Sequence, residues 1–275
     1  MAKSSIIGRG TIWGVGKNTL DANSQNCFTT LVEPLNTAGF LFDGPIIKEG
    51  SYWHFNVMHS RNVQIKNVKV LGRFDMGEND GIDVGKSQIV NVTHAFAAVW
   101  DDSFSTKSCN PSAFPGGDPQ NAIHGLPQPC KDVIFECVFG WTGLYSLKIG
   151  QGFEADQSNN VFRNAIVYDC STGIGIDHRY GTAALSGASS QDVEIERVSV
   201  TVDNRRTWMA FNIEESGQRG VGPAGDVTVK NVTIYDMGTT PAEIGGLRRR
   251  CNFISVGLDV LHNQAFFDSL RLSLN

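Results

Sequence analysis

Val63-Gln64-Ile65-Lys66-Asn67-Val68-Lys69-Val70 decides the fold, because the chain keeps returning to this run. Ser87-Gln88-Ile89-Val90-Asn91-Val92 matches it, as do the stretches from Val133 to Val138 and from Val161 to Ile166. Further copies run from Val193 to Val200 and from Val227 to Ile234. Their starts lie 24, 46, 28, 32 and 34 residues apart, and the 46 reads as two coils inflated by a proline-rich loop. Apolar positions alternate within each copy, as in a strand with one buried face. A motif that recurs every 20–50 residues marks a stacked architecture. No helical stripe with caps lies between the copies, so alternating strand–helix units are disfavoured. A β-sandwich would not repeat one motif at one coil length. The expected fold is all-β: a single right-handed parallel β-helix, or solenoid, of roughly eight coils over residues 1–275. Asn67, Asn91, Asn164 and Asn231 hold similar repeat positions and read as turn or ladder residues. The apolar stretch from Val260 to Leu274 is expected to cap the open end.

The bulk properties narrow the partners. A net charge of −5 and 19% charged residues argue against nucleic acid and anionic membranes. No apolar run approaches the ~18 residues of a bilayer span. The start, Met1-Ala2-Lys3-Ser4-Ser5, lacks a signal-peptide core and reads as a trimmed N-terminus. Six cysteines show neither zinc nor C-x-x-C spacing. Cys109 and Cys130 flank the proline-rich loop and are expected to form a disulfide. The sequons at Asn91 and Asn231 favour a secreted, extracellular protein.

Two acidic clusters carry the chemistry: Asn79-Asp80-Gly81-Ile82-Asp83 and Trp100-Asp101-Asp102. In a solenoid, residues one coil apart stack, so Asp80, Asp101 and Asp102 should converge. Converging carboxylates on a rigid wall suit acid–base cleavage of a glycosidic bond. A lone Asp-Asp pair is usually a turn feature; register with a second cluster raises the functional reading.

At these residues the chain resembles the β-helical glycoside hydrolase clan that holds polygalacturonases (family 28) and dextranase/isopullulanase (family 49). The family pattern Asn-x-Asp-Gly-x-Asp, followed one coil later by Asp-Asp, is similar to residues 78–83 and 101–102. Ser103-Phe104-Ser105-Thr106-Lys107-Ser108, Gly8-Arg9-Gly10-Thr11-Ile12-Trp13-Gly14 and Ser146-Leu147-Lys148-Ile149-Gly150 extend the likeness loosely over residues 6–240. The resemblance implies inverting hydrolysis. One of Asp101 and Asp102 donates the proton, and the other activates water together with Asp80. It implies no metal and no organic cofactor.

Departures from the pattern shape the expected substrate. The polygalacturonase Gly-His-Gly falls on Leu144-Tyr145-Ser146, and the Arg-Ile-Lys that binds galacturonate falls on Gly175-Ile176-Asp177. Asp177 there would repel a uronic acid, and Arg179 could substitute only from the next turn. His178-Arg179-Tyr180 is loosely similar to the dextranase branch. The primary expectation is therefore a neutral α-glucan, with a polygalacturonase-type pectin hydrolase as the alternative.

Trp100 and Trp141 suit stacking on sugar rings or burial in the core. Tyr145, Lys148, Asp177, His178 and Arg179 are candidates for substrate subsites; for Lys148 and His178 a solvated or structural role weighs more. Lys107 is expected to pair with Asp102. Two further readings stand beside the hydrolase. A polysaccharide lyase would need calcium and a basic residue, which no Arg or Lys well placed in the sequence supplies. A non-catalytic glycan-binding β-helix would use the acids only in turns. The expected partner is a polysaccharide bound by a monomer.

Overall fold

The computed structural model describes residues 4–14, 30–108, 126–202, 204–212, 222–245 and 254–259. Every named strand pairing among them is parallel. One ladder climbs through nine successive strands: Ser4–Ile7, Ala38–Asp43, Arg61–Lys66, Gln88–Thr93, Cys130–Glu136, Val161–Asp169, Ser189–Ile195, Val227–Ile234 and Ile254–Asp259. A second runs through Thr11–Trp13, Ile46–Lys48, Lys69–Leu71, Phe96–Val99 and Phe139–Thr142. A separate 7-stranded sheet closes the coil: Phe55–Met58, Ile82–Gly85, Phe104–Lys107, Tyr145–Gly150, Thr172–Asp177, Thr207–Asn212 and Glu243–Gly245. This is the parallel β-helix expected from the repeat, and the described residues form no helix.

The core follows from period-2 alternation carried up the stack. Phe42, Ile65, Val92, Phe135 and Phe162 form one inward column, and Phe55, Ile82, Phe104, Leu147 and Ile174 another. All of these side chains are buried. Phe135 stacks on Phe162 at 4.9 Å and tilts against Phe104 at 5.7 Å.

Two features of the repeat differ from the sequence reading. Val63 stacks on Val90, not on Ser87. The similarity of Gln64-Ile65 to Gln88-Ile89 misleads, because Ile89 takes a left-handed conformation (φ 56°) and turns outward, 37% exposed. The strand Gln88–Thr93 also pairs directly with Cys130–Glu136, so the long gap is one coil with an insertion. Cys130 carries a free thiol at the base of that coil. Its buried S–H donates to the Val84 carbonyl at 3.3 Å, which overturns the disulfide with Cys109. Cys109 itself, and the expected cap over 260–274, lie outside the described residues.

One corner is built from left-handed residues. Gly44, Asn67, His94, Cys137 and Asn164 all have positive φ. Backbone N–H groups of the first four donate to the strand end of the following coil (Lys66, Thr93, Glu136 and Arg163 carbonyls). Gly and Asn tolerate this geometry, which explains the recurring asparagines at 67 and 164. Asn91 instead lies mid-strand.

Candidate active site

The acids sit at the corner where the chain enters the 7-stranded sheet. Gly81 N–H donates to the Asp102 carbonyl and Ile82 N–H to Ser103, so Asp102, not Asp101, stacks on Asp80. A Cβ at Gly81 would run into the Ser103 carbonyl oxygen, so glycine lets the two rungs close here. Asn79 ties the corner: its amide donates to the Arg73 carbonyl and its Oδ1 accepts from Trp100 N–H, both at 2.9 Å. One carboxylate oxygen each from Asp80, Asp101 and Asp102 lies within 4.8 Å of the other two.

The three acids have different surroundings. Asp80 and Asp102 are each 2% exposed, while Asp101 is half-buried. Asp80 Oδ2 accepts from Lys107 Nζ at 2.7 Å, and Asp102 Oδ2 accepts from Lys148 Nζ at 2.8 Å. Among the described residues Asp101 meets backbone only: Oδ1 accepts from Asp102 N–H at 2.9 Å and Oδ2 from Glu78 N–H at 3.3 Å. Asp80 Oδ1 and Asp102 Oδ1 are buried with no hydrogen-bond donor among the described residues. Unsatisfied buried oxygens of this kind call for a water or a ligand group.

Lys107 does not pair with Asp102 as expected. It bridges Asp80 and Asp83, 2.6 Å from Asp83 Oδ1, and lies 4.3 Å from the Trp53 ring centroid. Asp83 faces outward from the site sheet, because its neighbours Ile82 and Val84 fill the core. Ser105 also donates to Asp83 Oδ1. His54 Nδ1 lies 2.8 Å from the Asp80 carbonyl, and burial lowers its pKa to about 4, so the ring is neutral.

Burial pushes the Asp101 carboxyl up to about 7, with the Asp102 charge adding to the rise and Lys148 opposing it. Burial also raises Asp80, reinforced by Asp83 and resisted by Lys107. Asp102 rises through burial, against the pull of Lys148 and Lys107. Burial disfavours both ammonium groups, yet the carboxylates outweigh it. Asp80 and Asp83 hold the Lys107 pKa well above the ordinary value, and Asp102 with Asp177 raises that of Lys148.

The remaining predicted residues divide. Tyr145 is buried beside Lys148, and its hydroxyl accepts from Arg205 Nη1 at 3.0 Å and Asn212 Nδ2 at 3.1 Å. Asp177 is neutralised by Arg179, two residues on, through Nε–Oδ1 at 2.9 Å and Nη2–Oδ2 at 2.8 Å. The expected repulsion of a uronate by Asp177 is therefore removed within the same turn. His178 stacks on Phe153 at 4.0 Å, with Nε2 2.9 Å from the Ala183 carbonyl, in a structural position. Trp100 is half-buried and packs against Gly143. Trp141 is 38% exposed and meets Phe74 and Tyr168 at 5.0 and 5.5 Å. Sequence reasoning missed Trp53, His54, Arg205 and Asn212, which come from other coils and carry no local motif.

This stacked body is a parallel β-helix with three clustered carboxylates at one corner. The family model for Glycosyl hydrolases family 28 matches residues 2–114. A polygalacturonase of Brassica napus is 22% identical over 242 residues, covering 82% of this chain. The chain spans 55% of that relative's length. Endo-xylogalacturonan hydrolase from Aspergillus tubingensis superposes with a TM-score of 0.64 at 16% identity, over 94% of this chain and 73% of that one. A hyperthermoactive exopolygalacturonase from Thermotoga maritima gives 0.52 at 20% identity, over 72% of this chain and 42% of that one. These matches support the right-handed parallel β-helix fold expected from the repeat. They give the dextranase-like reading no support and back the polygalacturonase alternative instead.

Proposed function

We propose that this chain is a polygalacturonase-type glycoside hydrolase, acting outside the cell on a galacturonan-containing polysaccharide. The observation that carries the reading is the convergence of Asp80, Asp101 and Asp102 within 4.8 Å, each in a different electrostatic setting. Asp101 has no ammonium partner among the described residues and is the half-exposed member, so it is the proton donor to the leaving glycosidic oxygen. Its Oδ2 carries the proton, since the 3.3 Å contact from Glu78 is the weaker of its two bonds. Asp80 and Asp102, each bonded to an ammonium, act as carboxylates. Their unpartnered Oδ1 atoms accept from the attacking water. Lys107 and Lys148 orient these carboxylates.

The acids approach more closely than the about 6.5–9.5 Å usual for an inverting pair. Inversion then requires water to be held beside Asp80 and Asp102 on one wall. Proton NMR of the first product tests this: an anomer opposite to the bond cleaved supports the reading, and a retained anomer overturns it. Reducing-end release from polygalacturonate, xylogalacturonan and dextran tests the substrate, and turnover of dextran alone would refute the galacturonan assignment.

The lyase reading gains something from the structure, since Lys107 and Lys148 do stand in the cluster. Both are held protonated by carboxylates and make poor bases. A divalent cation would also have to displace them. Hydrolysis that persists in EDTA and yields no unsaturated product is the expected outcome.

A further inference from the structure

The acids occupy one edge of the outer face formed by Lys69–Leu71, Phe96–Val99 and Phe139–Thr142. At the opposite edge, one strand away, lies a groove of about 840 Å³. Arg9, Asp43, Asn67, Lys69, His94 and Phe96 line it, contributed by four successive coils. Stacked coils advance about 4.8 Å each, so the groove follows the solenoid axis for about 14 Å.

Its chemistry is distinct from that of the acidic corner. Arg9 and Lys69 are exposed and form no ion pair among the described residues. Asp43 is engaged by the Asn67 amide at 2.8 Å. Asp43 keeps its charge, so Arg9 and Lys69 leave this lining with one net positive charge in a chain of net charge −5. Phe96 supplies a half-buried aromatic wall and stacks on Phe139 at 5.2 Å. The aromatic ridge continues through Tyr168, Trp141 and Phe74, which is five residues before Asn79. Aromatic faces suit the C–H side of a pyranose, and exposed cations suit its carboxylates.

We propose that this groove is an accessory binding site for an anionic, uronate-bearing polysaccharide strand, separate from the acidic corner. The groove's own charge and shape carry the assignment, which goes beyond the hydrolase reading.

Native gel retardation in polygalacturonate tests it, with methyl-esterified polygalacturonate as the uncharged counterpart. The variant is Arg9→Glu/Lys69→Glu, and hydrolysis of a short soluble galacturonide is measured in parallel. The expected result is salt-sensitive retardation by the acidic polymer that the variant weakens about tenfold, with short-substrate hydrolysis unchanged. Equal retardation of variant and wild type overturns the proposal. So does equal retardation by the esterified polymer, or a joint loss of binding and short-substrate hydrolysis. Charge-dependent retardation without any hydrolysis by the wild type would keep the groove and refute the enzymatic reading.

Discussion

Lys148 and Asp102 form a buried ion pair whose two members come from different coils. Removing the cation strands a buried carboxylate, so Lys148→Met should lower stability at neutral pH by about 3–5 kcal/mol, read by urea unfolding. Adding Asp102→Asn to that variant should recover most of the loss. For Asp101, held up at about 7 by burial and the Asp102 charge, the sign runs the other way from an ordinary carboxylate. The folded protein keeps a proton that the unfolded chain releases near its ordinary value, so stability declines as pH rises between the two. Thermal melts from pH 4 to 8 should show this decline in the wild type and a flatter profile in Asp101→Asn. Under the proposed mechanism kcat/KM also falls as pH rises through about 7, and Asp101→Asn lowers kcat about 10²–10⁴-fold. The acids themselves were legible, because Asn79-Asp80-Gly81 and Asp101-Asp102 are adjacent in sequence. Their cations were not, because nothing near Lys107 or Lys148 announces which carboxylate a neighbouring coil will bring.

Each strand is a rung, and its inward side chains pack on the rungs above and below. Phe135 joins three coils through Phe104 and Phe162. Phe135→Ala should therefore cost about 3–5 kcal/mol, measured by chemical denaturation. The strands were readable from alternating Val and Ile, since the period of two is imposed by the buried face itself. Their stacking partners were less so. The outward-turned Ile89 mimics an inward position, and only the hydrogen bonds between rungs show that Val90 continues the column from Val63. The insertion between Thr93 and Cys130 was misread for a related reason: sequence length does not separate an extra coil from a loop leaving one corner.

Across the molecule, stacking alone delivers the site. The same climb that buries Phe42, Ile65, Val92 and Phe135 also places Asp80 over Asp102. The parallel sheets follow from repetition, so the architecture was legible as a whole. Substrate preference was not, because the Asp177–Arg179 pair cancels a charge that the sequence shows as uncompensated. The thiols sealed inside this stack have a practical use. Cys130 is fully buried and its thiol is pushed up to about 12, and Cys170 is likewise enclosed. Neither can meet an alkylating reagent until adjacent turns of the spiral part, whereas Cys137 stands open to solvent. The pace of iodoacetamide capture at Cys130, followed by peptide mass spectrometry, therefore clocks the breathing of the coil beside the acids. A tightly bound oligosaccharide spanning that turn should slow it while leaving Cys137 as quick as before.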